Sequence, residues 1–225
     1  MPVHTVEYAP GRRADVFGDP KQPPILLWHG MQSDARAAVR PLAGVLAGHD
    51  AAVVAPDWNS HSDDGGRADL LRSVDFIRGW TQADQIVLVG WSMGGAAAAG
   101  LTLDAQRHDV SIAHTVCLAG AFMARDPISG RVVTELLSAG LTGSPFTLLH
   151  GTADDVVPVS ASRDFAAALQ QMGRPVEFVE LAADHGSIAG AEYDPAADRY
   201  EPGSGAEARR VAADVAARIA DVLPK

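Results

Sequence analysis

Gln85-Ile86-Val87-Leu88-Val89-Gly90-Trp91-Ser92-Met93-Gly94-Gly95 begins as an apolar, β-branched run, turns at a glycine, and continues into an alanine- and glycine-rich stretch that reads as a helix over Ser92 to Gln106. A serine placed directly between a strand and a helix sits on a tight turn. There the backbone is held in a strained conformation that exposes the hydroxyl, and glycines two before and two after it leave room for the neighbouring chain. Gly95, Gly100 and the alanines between them let the helix pack closely on the sheet. The bland alternative is a small-residue helix start with an incidental serine. A phosphate loop does not fit, because no Gly-Lys-Ser/Thr follows.

Working outward, short apolar runs alternate with helical segments, the rhythm of a parallel sheet wrapped by helices. Strands are expected at Pro24 to Trp28, Ala51 to Ala55, Gln85 to Val89, His114 to Leu118, Phe146 to His150 and Pro175 to Leu181. Most are nearly continuous hydrophobic runs, as they are when both faces of a strand are covered. Helices are expected at Asp34 to Ala47, Arg67 to Gln82, Ser92 to Gln106, Ser160 to Met172 and Gly205 to Leu223, with Gly173 and Pro175 stopping the fourth. Thr5 to Phe17 suggests an antiparallel edge hairpin around Pro10-Gly11. Two segments fall outside the alternation and read as functional loops: Ala121 to Ser144, with a short helix at Val132 to Ser138, and Ser187 to Ser204. With no repeat or linker, residues 1–225 read as one domain.

A serine hydroxyl is a poor nucleophile near neutral pH, so the junction needs a histidine base and an acid that orients it. Asp154 follows in His150-Gly151-Thr152-Ala153-Asp154-Asp155, just past a strand, and His185 follows in Ala182-Ala183-Asp184-His185-Gly186, just past the next. Ser92, Asp154 and His185 therefore all lie beyond the carboxyl ends of strands, where open α/β sheets bind ligands. Asp155 is the alternative acid. Backbone N–H groups of Met93 and Met31 are the candidate oxyanion donors, the second in His29-Gly30-Met31 after an early strand. His29 reads as a structural imidazole that bonds loop backbone. Trp91 and Met31 are tied to the site by adjacency and are the candidate substrate-binding side chains. His61, Asp63 and Asp64 have no paired metal-ligand spacing and read as a solvated loop, so no metal is expected.

Lys and Arg number 18 against 28 Asp and Glu, a formal net charge of −10, which disfavours a nucleic-acid partner. The lone cysteine, Cys117, lies within an apolar strand and reads as a buried inert thiol. The start of the chain lacks a basic segment followed by an apolar run, and no stretch approaches the roughly 20 apolar residues of a membrane span. A cytoplasmic protein is expected.

With Ser92, Asp154 and His185 in that chain order, the sequence resembles the α/β-hydrolases, specifically the small carboxylesterase and dienelactone-hydrolase-like type. The resemblance runs from His29-Gly30 through Gly90-Trp91-Ser92-Met93-Gly94 and His150 to Pro158 as far as His185. It implies an α/β-hydrolase fold with a mostly parallel central sheet, helices on both faces and, since Ala121 to Ser144 is short, a minimal cap. Serine at 92 departs from the cysteine of the dienelactone hydrolases themselves and from the aspartate of haloalkane dehalogenases. The oxyanion loop lacks the His-Gly-Gly-Gly run of the hormone-sensitive-lipase branch. The expected activity is hydrolysis of small esters or thioesters through an acyl-enzyme on Ser92, without a cofactor. Rival readings are a peptidase or amidase, a long-chain lipase or thioesterase, and a non-catalytic binding protein on the same fold.

Overall fold

The computed structural model describes residues 3–138 and 143–224. The chain opens with an antiparallel hairpin, β1 (His4–Ala9) and β2 (Arg12–Phe17), as the Pro10-Gly11 turn predicts, with Gly11 at φ 72°. It continues through β3 (Pro24–Trp28), α1 (Arg40–Ala47), β4 (Ala52–Pro56), α2 (Arg67–Thr81), β5 (Ile86–Trp91), α3 (Met93–Leu103) and β6 (Ile112–Leu118). After β6 come β7 (Phe146–Gly151), α4 (Val159–Gln171), β8 (Val176–Leu181), a small hairpin β9 (Ala191–Asp194) and β10 (Arg199–Pro202), and α5 (Ala206–Ala220).

Eight strands form one sheet in the order β1-β2-β4-β3-β5-β6-β7-β8, antiparallel at β1-β2 and β2-β4 and parallel from β4 to β8. The continuous apolar runs follow from two covered faces, since successive side chains of a strand point to opposite sides. Ile25, Leu27, Val87 and Val89 pack with Leu42 and Leu46 of α1 and Val215 and Ile219 of α5. Leu26, Trp28, Ile86 and Leu88 pack on the other face with Leu70, Val74 and Ile77 of α2 and Leu101 of α3. This is the α/β-hydrolase arrangement. From β3 the chain crosses to one side to make β4 and then to the other to make β5. The carboxyl ends of β3 and β5 thus flank a topological switch point, the crevice where such sheets place their sites.

Four expectations need correction. The first helix starts at Arg40, not Asp34: Asp34 adopts φ 53°, and Pro41 stands in the first turn, the helix position that tolerates a proline. Ser187 to Ser204 is not irregular but carries a 3-10 turn (Ser187–Ala189) and the β9-β10 hairpin. The helix from Ser92 stops at Leu103, and a separate 3-10 turn (Ala105–His108) follows. The short helix expected at Val132 to Ser138 is a 3-10 turn at Val133–Leu136, while positions 139–142 of the Ala121 to Ser144 segment lie outside the described residues. No large cap stands over the sheet among the described residues. None of their helices is long and apolar enough to cross a membrane.

Candidate active site

Ser92 stands between β5 and α3 with φ 56° and ψ −118°, a conformation rare for a residue with a side chain. The turn is enforced from β6 and its following loop. Ser92 N–H donates to Leu118 O at 2.9 Å, and Ser92 O accepts from Ala121 N at 3.0 Å and Gly95 N at 3.0 Å. The flanking glycines are required by space: a Cβ at Gly90 would strike the Gly94 carbonyl, and one at Gly94 would strike the carbonyl of His29.

Asp154 projects from the loop after β7 and His185 from the loop after β8. Backbone bonds from Thr152 N to Leu181 O (2.8 Å) and Ala153 N to Ala183 O (3.0 Å) tie those loops together. His185 Nδ1 donates to Asp154 Oδ2 at 2.8 Å. The other oxygen, Oδ1, accepts from Val156 N at 2.9 Å and Val157 N at 2.8 Å. Burial raises the Asp154 carboxyl pKa, but the hydrogen bonds from His150, His185 and Val157 outweigh it and hold the group well below the usual carboxylate range. Asp155, the alternative acid, is exposed and makes no bond to His185.

His150 is a residue whose role sequence reasoning missed. Its ring is buried, with Nε2 at 2.9 Å from Val157 O and 3.4 Å from Asp154 Oδ2. Because a carbonyl only accepts, Nε2 carries the proton, and Nδ1 accepts from Ser162 Oγ at 2.7 Å. The acid loop is therefore pinned from beneath. The signal was the His150-Gly151 pair at the end of β7: a Cβ at 151 would strike Ala183 O, so the pair marks close contact between two loops.

On the other side of Ser92, the loop after β3 passes so close that a Cβ on Gly30 would lie 3.3 Å from Ser92 Cβ. His29 shapes it. Its Nδ1 donates to Gly30 O at 2.8 Å, and its Nε2 accepts from both Ala35 N and Trp58 N at 3.2 Å, while the ring stacks on Trp58. Burial drives its pKa down to about 3, so the imidazole is neutral. The Met31 carbonyl is turned to Ser60 Oγ at 3.1 Å, and no acceptor holds the Met31 N–H among the described residues. Met93 is the first residue of α3, whose N–H has no partner within the helix. Among the described residues Ser92 Oγ makes no hydrogen bond, so the structure does not join it to His185 by one; such bonds commonly tighten only around a bound substrate.

Trp91 is not a substrate wall. Its indole is buried, 1% exposed, because its side chain points into the sheet's α1/α5 face; there Nε1 donates to His185 O at 2.7 Å and the ring packs on Tyr200 at 5.0 Å. It positions the histidine loop. Met31 is 55% exposed at the mouth of the site. Asp64, weighed above with His61 and Asp63, accepts bonds from Gly66 N and Ala68 N at the start of α2 and serves that turn.

Residues 70–196, more than half of the chain and spanning Ser92, Asp154 and His185, match the phospholipase/carboxylesterase family. The chain belongs to that family. It is thus an α/β-hydrolase and, by family, a carboxylic ester hydrolase. No curated protein matches its sequence. Among solved structures it is similar to a thermophilic esterase, Est2, from the planctomycete Thermogutta terrifontis. The propionate-bound form of Est2 superposes with a TM-score of 0.75 at 19% identity, covering 99% of this chain and 96% of that one. The same esterase phosphorylated by paraoxon gives 0.74 at 20% identity over 99% and 96%.

Proposed function

We propose that this chain hydrolyses small carboxylic esters or thioesters through an acyl-enzyme on Ser92. His185 Nε2 takes the Ser92 proton as Oγ bonds to the acyl carbon, and Asp154 holds the ring and stabilises the imidazolium. The N–H groups of Met31 and Met93 bind the oxyanion, His185 protonates the leaving alcohol or thiol, and water attacks the acyl group with the same histidine as base. What supports this reading is the strained, positive-φ serine at the switch point together with the Asp154–His185 pair, whose acid is held ionised.

A short acyl group is expected because no large cap encloses a longer one among the described residues. The Est2 structures with propionate and with butyrate bound support that choice. Neutral p-nitrophenyl esters of two to six carbons should be hydrolysed, and the matching p-nitroanilides much more slowly. Faster anilide cleavage would make the chain an amidase, and no turnover of either, without labelling of Ser92, would make it a binding protein. The reading includes one domain over residues 1–225 and, given one buried cysteine, a cytoplasmic setting.

A further inference from the structure

A cavity of about 520 Å³ opens between three loops beside His185. Asp155 and Val156 come from the loop after β7, Asp184 and His185 from the loop after β8, and Tyr193 and Tyr200 from the β9-β10 hairpin. If His185 protonates the departing oxygen or sulfur, the leaving group must lie within hydrogen-bond reach of its ring. A cavity with that ring in its wall is placed to receive the leaving group.

The lining has one sign of charge. Neither Lys nor Arg contributes to it, and the nearby arginines are committed to glutamates: Arg199 to Glu201 at 2.7 Å and Arg210 to Glu207 at 2.7 Å. Asp184 uses Oδ1 to hold Gly186 N and Ser187 N. Its Oδ2, and both oxygens of Asp155, accept no protein hydrogen bond among the described residues. The apolar part of the wall is aromatic. Tyr193 pairs with Tyr200 across the hairpin at 5.3 Å with the rings inclined by 59°, both lining the cavity, and Val156, 56% exposed, stands in the same wall. Burial raises the Tyr200 hydroxyl to about 12, assisted by Asp154, Asp155 and Asp184, so their negative field reaches the ring. Aromatic faces, an apolar contact and unpaired carboxylates together suit a cation with apolar substituents.

We propose that this cavity is a leaving-group subsite for an alcohol or thiol bearing an ammonium group, a quaternary ammonium above all. The inference rests on the serine-esterase reading and names its substrate class: hydrolysis adds water across the acyl bond, giving a carboxylic acid and a cationic alcohol or thiol. An anionic leaving group is repelled by Asp155 and Asp184, and a neutral one forgoes the attraction to ring and carboxylate.

The test compares butyrylthiocholine with its neutral isostere, the 3,3-dimethylbutyl thioester of butyrate, at low ionic strength. The ratio of their kcat/KM values should favour the cation about tenfold, the size of one partly desolvated cation–π contact with carboxylate help. It should shrink as salt is added. Asp155→Asn and Tyr193→Leu should each reduce the ratio at least about threefold; because it is taken within one variant, losses of stability cancel. A ratio near one in the unmodified protein, or a tenfold ratio unchanged in both variants, overturns the subsite and leaves the esterase reading standing. If neither thioester is hydrolysed, fluorophosphonate labelling decides: a labelled Ser92 removes only the subsite, and an unlabelled one removes the esterase reading with it.

Discussion

Replacing His29 with phenylalanine removes the group on which the loop beside Ser92 depends while keeping a ring of similar size to stack on Trp58. The loss is in hydrogen bonding. Ala35 N and Trp58 N lose their shared acceptor, Gly30 O loses its donor, and the site is fully buried, so the new ring excludes replacement water. At about 1–3 kcal/mol for each of the three buried groups left unsatisfied, the total is about 3–9 kcal/mol, a large part of a typical domain's stability. The substitution also removes a titration. Burial holds His29 near pKa 3 in the folded chain, against about 6.5 unfolded, so between those values the unfolded chain binds a proton that the folded one does not. That contribution is complete above about pH 6.5 and is lost as the pH falls toward 3, at about 1.4 kcal/mol per pH unit. Urea unfolding at pH 7.5 and 4.5 measures both effects. The parent chain should lose about 3 kcal/mol more than the variant over that interval, because His114, also held low at about 4, is common to both. Asp154, lowered below the usual range, contributes stability that is lost only at more acid pH. A variant within about 1 kcal/mol of the parent at pH 7.5, with the same pH dependence, would refute the role given to His29.

Other outcomes follow from the same geometry. Asp154→Asn should lower kcat/KM by about 10⁴, the scale on which losing the carboxylate misplaces a triad histidine; a loss under tenfold beside a crippling Asp155→Asn would reassign the acid. Gly94→Ala should destabilise the chain by about 1–3 kcal/mol, seen in thermal unfolding, because its Cβ has the His29 and Trp28 carbonyls in its way. Across p-nitrophenyl esters kcat/KM should peak between acetyl and hexanoyl and decline by dodecanoyl, since each methylene gains about 0.8 kcal/mol only while it meets apolar wall. A series still rising at palmitoyl would point to an acyl channel.

The parallel strands were legible because burial on both faces writes them as unbroken apolar runs, and the turn at Ser92 because glycine is the residue that fits at 90 and 94. The β9-β10 hairpin was not. Its strands, Ala-Glu-Tyr-Asp and Arg-Tyr-Glu-Pro, are short and polar, with one buried residue between them, so no alternation of burial marks them. Trp91 misled for a reason built into strands: sequence neighbours face opposite ways, so adjacency to Ser92 sends its side chain into the core. His150 escaped notice because its partners, Val157, Ser162 and Asp154, come together only once the acid loop folds back over β7.

The central claim is that the Ser92 hydroxyl is an activated nucleophile. Labelling with a fluorophosphonate probe, followed by mass spectrometry of the peptide that contains Gly90 to Gly95, tests it most directly. The adduct should fall on Ser92, appear in step with loss of ester hydrolysis, and be absent from Ser92→Ala and sharply slowed in a His185 variant. An adduct on another residue, or full esterase activity in Ser92→Ala, would contradict it.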